Sequence, residues 1–473
     1  MMLMDLSIPE LSKLLVARKI SSVDLVKESY KRITAWDGQL NSFISLKDKK
    51  IAIREANILD KNRTKNSGAL YGLVFSMKDA YLALGTKTTC ASNMLKNFKS
   101  PYSSTVYQKL KSAGAILIGK NNLDSWGHGG STENSDFGVS KNPWDQKRVA
   151  GGSSGGSAIA VASRMVNFAI GEDTGGSIRN PSSMCNISGL KVSYGRVSRW
   201  GTIAYASSLD TVGPMAKSSE DLAYVLQEMA GADKKDASSA QKKLDDYISN
   251  LKKRIKGKKI GLAKEFFSKN IDPEIEKIVR KVAERLTRLG AEIVNVSIPH
   301  LNYGISIYYL IALSETSSNM ARYDGVRYGN KRESLSPETI KRIILGTYAL
   351  SAGYADKLYK KAQKARTVLI DEYRRVFKKC DVLLAPVTPS KPAKIGELIN
   401  DPVKNFLEDL YTVTVNVAGL PSLAIPAGFT KDNLPIGVQL IGERFHEAEL
   451  LNIGYKYQQN FRDYKKIPTT IKN

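Results

Sequence analysis

Two glycine-serine clusters carry the strongest chemical signal in this sequence. The first reads Gly151-Gly152-Ser153-Ser154-Gly155-Gly156-Ser157 and runs into a stretch of small apolar residues; the second reads Asp173-Thr174-Gly175-Gly176-Ser177-Ile178-Arg179. A glycine-rich turn before a helix can bind phosphate on bare N–H groups. Neither cluster continues into the Gly-Lys-Ser/Thr of a P-loop, and either alone could be a packing turn. Two clusters and an upstream lysine, Lys78, at the end of an apolar run fit acyl transfer instead. That chemistry needs an activated nucleophile, a proton acceptor and donors for a developing oxyanion. Glycines beside a serine leave N–H groups uncovered, and the run Thr174-Gly175-Gly176-Ser177 can aim several of them at one carbonyl oxygen. The chain has only three histidines, His128, His300 and His446. A Ser-His-Asp triad has few candidates, and lysine is the alternative partner for serine, able to accept a proton when burial holds it neutral.

The neighbours of these residues read as support. Ser154 and Ser157 are expected to brace the turn and cap the following helix. Asp173 and Arg179 are charge-complementary and close in sequence, the mark of a structural pair. His128, in Gly127-His128-Gly129-Gly130-Ser131, borders the site, and Cys185 reads as a small buried hydrophobe.

Positioning such residues takes a sheet. The run Leu70–Met77, ending at Lys78-Asp79, reads as a buried strand, and 114–119 as a second one after a helical stretch near 103–112. Apolar spacing predicts helix over 8–36. Lys259-Ile260-Gly261-Leu262-Ala263 reads as a strand. Asp272-Pro273 then starts a helix whose stripe is Ile275, Ile278, Val279, Val282, Leu286 and Leu289. Gly290 ends it, and Ile293-Val294-Val296 gives the next strand: one βαβ unit. Helical patterns follow near 338–378, then strands at 380–386, 423–426 and 437–442. Alternating strands and helices imply an α/β sheet. The Gly/Ser density of 129–213 alternates with apolar runs such as 158–162, which fits tight turns around a packed site. Residues 233–259 are polar, with eight Lys/Arg between 242 and 259, and read as a solvated surface segment.

The chain has 473 residues, 42% hydrophobic and 25% charged, ordinary for a globular protein long enough to bury a large core. This excludes intrinsic disorder and collagen-like repetition. Three cysteines without a CxxC spacing argue against zinc and disulfide frameworks and for a reducing, cytoplasmic setting. Met1-Met2-Leu3-Met4-Asp5 does not read as a signal peptide, and no apolar run of membrane-spanning length occurs. The formal net charge of +25 favours a polyanionic partner, although a lysine-rich proteome gives the same count.

The segment from Gly151 to Arg199, GGSSGGSAIAVAS then GEDTGGSIRNPSSMCNISGLKVSYGRVSRWG, with GLVFSMKD upstream, resembles the amidase signature family. The resemblance implies an α/β fold with a central mixed β-sheet covered by helices on both faces. It implies one domain over 1–473, with the core segment at about 70–215 and the βαβ region, about 256–300, inside it. It implies a Ser-cis-Ser-Lys triad: Ser177 as nucleophile, Ser153 as the bridging serine after a cis peptide bond, and Lys78 as the terminal base. Backbone N–H groups from Thr174 to Ser177 would form the oxyanion hole, with no metal.

The C-terminal half resembles one branch of that family, whose members release ammonia from glutamine within tRNA-dependent amidotransferases. The matching stretches are 308–312 with Glu315 and Ser317-Ser318-Asn319, then 322–329, 342–354 and 409–413. The branch implies Arg342 on the glutamine α-carboxylate, Asp409 on the α-ammonium, and Tyr308 or Tyr309 close by. It implies no cofactor in this chain, with ATP and Mg at a partner B subunit. It also implies a small C subunit, with mischarged Glu-tRNA(Gln), or Asp-tRNA(Asn), as the acceptor and no membrane. Two other readings stand beside it: a stand-alone amidase acting on a small or acyl amide, and a basic RNA-binding protein that keeps the motif as scaffold.

Overall fold

The structure, a computed structural model, describes residues 3–267, 271–326 and 330–471. Arg327, Tyr328 and Gly329 of the stretch 322–329 lie outside the described residues. The strands are β1 (Phe43–Leu46), β2 (Val74–Lys78), β3 (Ile116–Asn121), β4 (Phe168–Asp173), β5 (Ser188–Lys191) and β6 (Thr211–Ala216). They continue with β7 (Lys259–Ala263), β8 (Glu292–Val296), β9 (Val382–Pro386), β10 (Ser422–Phe429) and β11 (Pro435–Gly442). All eleven form one mixed sheet in the order β1-β3-β2-β4-β6-β5-β10-β11-β9-β7-β8. β2 runs parallel to β3 and β4, and β7 parallel to β8 and β9; the other pairs are antiparallel.

Both faces of the sheet are covered. Alternate residues of a strand point to opposite faces, and in β9 Val382 and Leu384 join one apolar cluster while Leu383 and Ala385 join another. The first cluster takes in the helix Pro273–Arg288 through Ile275, Val279, Val282 and Leu286. The second takes in the helices Gly304–Met320 and Lys361–Phe377 through Ile307, Ile311, Leu369 and Tyr373.

The βαβ unit is present as expected: Asp272 caps the helix by accepting from the Glu274 N–H at 2.8 Å, and β7 pairs parallel with β8. The single helix expected over 8–36 is two, Ile8–Val16 and Ser22–Leu40, because Ser7 and Ser21 each close a capping box and Arg18 takes a left-handed φ of 54°. The run Leu70–Met77 enters its strand only at Val74, after a turn at Gly72 with φ 85°. Four strands were not expected: β1, β4, β5 and β6. β6 carries Gly213 and Pro214 in mid-strand, and β4 ends inside the second glycine cluster, so neither shows a strand's composition. Among the described residues no helix is long and apolar enough to cross a membrane.

Candidate active site

The site sits where the parallel strands β2, β3 and β4 end, the edge at which open α/β sheets place ligands. Lys78 is the last residue of β2, and Asp173, the last of β4, leads into the second cluster. The first cluster enters the helix Gly155–Ala162, which packs against β2, β3, β4 and β6 and whose eight residues are all buried. Its small side chains allow that close approach.

The two clusters meet directly. The Ser154 N–H donates to the Ser177 carbonyl at 3.2 Å, and the peptide bond between Gly152 and Ser153 is cis. Lys78 Nζ donates to Ser153 Oγ at 2.8 Å. Lys78 is 1% exposed and Ser153 1%, whereas Ser177 is 8% exposed, which makes Ser177 the most open of the three. Among the described residues, no protein acceptor is found for the N–H groups of Gly175, Gly176 and Ser177. The loop that presents them needs its glycines. Gly176 has φ 144°, and a Cβ there would lie 2.6 Å from Thr412 Oγ1; a Cβ on Gly175 would lie 2.5 Å from the Tyr308 hydroxyl oxygen.

A buried polar knot holds this loop. Arg179 donates through Nε and Nη2 to the two carboxylate oxygens of Asp173 at 3.1 and 3.0 Å, and through Nη1 to Gln439 at 2.9 Å. It also reaches the Thr412 carbonyl at 3.1 Å and Asn416 Oδ1 at 2.5 Å. Burial alone would raise the Asp173 carboxyl, but the Arg179 guanidinium holds it down at about 2. The pair is structural, as the sequence suggests.

Arg342, in the helix Pro337–Leu350, is buried. Its Nε donates to Glu338 at 2.8 Å and its Nη1 to the Tyr205 hydroxyl at 2.6 Å. Its guanidinium lies 5.8 Å from the Tyr205 ring centre and 5.9 Å from that of Tyr309. Tyr309 donates its hydroxyl proton to Asp409 Oδ2 at 2.7 Å. Burial pushes the Asp409 carboxyl up to about 6, with Arg342 and the Tyr309 hydroxyl pulling it down. Tyr308 stacks edge-on against Tyr309 at 5.0 Å and reaches over Gly175. The structure therefore places a cation by the ring of Tyr309 and an anion at its hydroxyl, with Tyr308 between Tyr309 and Gly175.

Two corrections follow from the contacts. Ser154 occupies the N-cap position of the helix Gly155–Ala162 but does not cap it; its hydroxyl donates to the Glu172 carbonyl at 3.1 Å, and Thr132 Oγ1 accepts from the Gly155 N–H at 3.1 Å instead. Ser157 donates to Asn121 Oδ1 and the Ile170 carbonyl, both at 3.3 Å, so it too braces without capping. Arg342 is buried, whereas its neighbour Lys341 faces solvent, paired with Glu338 at 2.6 Å and 42% exposed.

His128 lies edge-on to Tyr205, ring centres 4.9 Å apart, with Nδ1 3.1 Å from Thr339 Oγ1. Burial, with Arg342 and Lys78 nearby, pushes its imidazole well below the usual range, so it is neutral. His300 pairs with Glu372 and His446 with Glu449. Cys90, Cys185 and Cys380 are free and buried.

Sequence reasoning passed over three residues of the site. Tyr205 holds Arg342. Asp124 accepts from the Thr132 and Asn134 N–H groups at 2.8 and 3.1 Å and fixes the 129–134 loop, while its own N–H reaches the Ser153 carbonyl at 3.3 Å. Glu172 places Oε2 3.5 Å from Lys78 Nζ. Only Glu172 left a signal, an acid immediately before the second glycine cluster.

The fold and this serine-lysine arrangement define an amide-bond hydrolase, and the chain belongs to the amidase family, whose model matches residues 24–451. Within that family it is similar to the A subunit of Glutamyl-tRNA(Gln) amidotransferase from Pseudomonas savastanoi pv. phaseolicola, 46% identical over 96% of this chain and 97% of the relative. Its counterpart in Coxiella burnetii is 46% identical over 98% of this chain and 99% of the relative. The crystal structure of the Glutamyl-tRNA(Gln) amidotransferase A subunit from Thermotoga maritima superposes with a TM-score of 0.85 at 37% identity, covering 99% of this chain and 98% of that one.

Proposed function

We propose that this chain is the glutaminase subunit of a tRNA-dependent amidotransferase. The observation that carries the reading is the pairing of Arg342 and Asp409 around Tyr309, beside the loop that bears Ser177. Free glutamine presents an α-carboxylate and an α-ammonium at fixed distance from its side-chain amide. A guanidinium fork suits the first, and an ionised carboxylate the second.

Ser177 Oγ attacks the amide carbon, its proton passes to Ser153, and the Ser153 proton passes to Lys78 Nζ. The N–H groups of the 174–177 loop stabilise the oxyanion, a role fixed donors in a dry site fill well. Collapse of the tetrahedral intermediate returns the proton to the leaving nitrogen and frees ammonia. Water then attacks the acyl-serine by the same relay and releases glutamate.

The ammonia is consumed at a partner B subunit that activates Glu-tRNA(Gln), or Asp-tRNA(Asn), with ATP and Mg; the assembly is completed by a small C subunit. We infer a cytoplasmic setting, where aminoacyl-tRNA is made. The near-full-length similarity to A subunits of Glutamyl-tRNA(Gln) amidotransferase supports this over a stand-alone amidase. The test is ammonia release from glutamine by the chain alone, then with the B and C subunits, then with ATP and mischarged tRNA. The expected outcome is stimulation at the later steps, with the aminoacyl group converted to its amide, a form of induced fit. Full glutaminase activity from the lone chain, unchanged by any addition, would favour the stand-alone amidase.

A further inference from the structure

Lys78 has two partners, and only one belongs to the relay. Its Nζ is 2.8 Å from Ser153 Oγ and 3.5 Å from Glu172 Oε2. Both charged side chains are withdrawn from solvent, at 1% and 3% exposure. Glu172 lies in β4, which pairs in parallel with β2, so the sheet itself sets the separation. The other carboxyl oxygen, Oε1, has no hydrogen-bond partner among the described residues. A buried carboxylate left half satisfied is costly, and packing or helix capping does not account for an acid here.

We propose that Glu172 acts through Lys78: its carboxylate stabilises the ammonium that forms when Lys78 takes the proton relayed from Ser177, and so sets the pH above which Lys78 is free to accept it. The inference rests on the Ser177–Ser153–Lys78 reading and adds a fourth, positioning member to that relay. The step balances. The Ser177 Oγ–H bond breaks as the bond from Oγ to the amide carbon forms, and the carbonyl π pair moves to oxygen. Ser153 takes that proton and passes its own to the lone pair of Lys78 Nζ. Above about pH 7, where Glu172 is ionised, the neutral amine beside it becomes an ion-paired ammonium.

The other charged and titratable groups around Glu172 are few. Arg199 and Asp210 approach from the segment between β5 and β6, and Tyr81 and Cys90 from the chain after β2. The Asp79–Lys120 ion pair, at 2.7 Å, closes the neighbouring strand ends. Burial pushes the Glu172 carboxyl up to about 7 against the pull of Lys78 and Arg199, with Asp210 adding to the rise. Tyr81 and Cys90 are raised by burial and stay neutral.

The experiment is the pH dependence of kcat/KM for glutamine in the assembled enzyme, with Glu172→Gln, Glu172→Ser and Glu172→Asp beside the wild type. Removing the charge should move the acid limb to lower pH by about one to three units, the size of effect an opposite charge exerts at such a separation. The plateau rate should fall as well, because the ammonium formed in the transition state loses its counter-charge. Glu172→Asp, which keeps the charge, should hold its limb closer to the wild type than the other two. If Glu172→Gln fails to fold, Glu172→Ser removes the same charge with less volume and carries the test. An acid limb that stays in place in the Gln and Ser variants, or moves to higher pH, overturns the proposal whatever the rate does. Lys78→Ala separates this failure from failure of the relay: activity surviving in Lys78→Ala sinks the relay itself, whereas an inactive Lys78→Ala with an unmoved limb in the Glu172 variants sinks only the role of Glu172.

Discussion

The Tyr205 hydroxyl accepts a hydrogen bond from Arg342 Nη1 at 2.6 Å, and Tyr205 is 4% exposed. A residue in an irregular segment thus fixes the guanidinium that faces the substrate carboxylate in the proposed function. Tyr205→Phe keeps the ring and removes the hydroxyl, and with it a contact with Tyr308 and a bond to a charged group worth roughly 1.5–3 kcal/mol. We expect KM for glutamine to rise by about tenfold or more with kcat little changed. Hydrolysis of a simple aryl amide, which has no α-carboxylate, should be unaffected. Equal losses on both substrates would point to a packing defect.

Ser177→Ala should abolish glutamine hydrolysis, leaving only the residual rate that oxyanion donors and binding support. A glutamine analogue that acylates the wild type should be found on Ser177 by mass spectrometry. An adduct on Ser153, Ser154 or Cys185 would reassign the nucleophile.

Lys78→Arg should be nearly as damaging as Lys78→Ala. Arginine keeps a positive charge near Glu172 but cannot be deprotonated in a protein, so it cannot accept the proton from Ser153. Substantial activity in the arginine variant would mean that position 78 supplies charge and no proton transfer.

The Asp409 carboxyl is raised to about 6, chiefly by burial. A raised carboxyl is ionised above that value and takes a proton as pH falls through it, so its attraction for the α-ammonium is lost on the acid side. KM for glutamine should therefore climb as pH drops below about 6, and in Asp409→Asn it should be high and flat across the same range. A wild-type KM that does not change there would remove Asp409 from substrate binding.

Arg179→Ala should be the most destabilising of these substitutions. It leaves Asp173 buried beside three groups that have lost their donor, the Thr412 carbonyl, Gln439 and Asn416, and breaking a buried pair on one side costs about 3–5 kcal/mol. Thermal unfolding measures the loss. The same pair gives a pH signature: Asp173 is held at about 2, below its ordinary value of about 4. Its contribution is complete above the ordinary value and disappears as pH falls through the folded one. The alanine variant should lose that part of the acid dependence.

The sequence is most informative where local rules and the fold agree. The βαβ unit has an N-cap, a helical stripe and a stopping glycine, and each of its boundaries lies within a few residues of the expected one. The two clusters and Lys78 are legible because few chemistries use glycine and serine so densely. Residues whose meaning depends on the partner strand are illegible. Nothing in Thr211-Val212-Gly213-Pro214 announces a strand, yet β6 pairs with β4 along its whole length. Tyr205 gains its role only from a helix 137 residues away. Glu172 stands in plain view next to the second cluster, but its separation from Lys78 is set by the pairing of β2 with β4.

The knot around Arg179 also sets a distance. It ties the base of the Ser177 loop to the Thr412 carbonyl and Asn416, in the same stretch of chain that carries Asp409. In the proposed function, Ser177 as nucleophile and Asp409 as ammonium anchor are then held by one piece of structure, and the distance between them would work as a ruler. Such a ruler would select against asparagine, one methylene shorter than glutamine, which could not meet both ends. Selection for side-chain length would then depend on Arg179, whose hydrogen bonds go to protein groups.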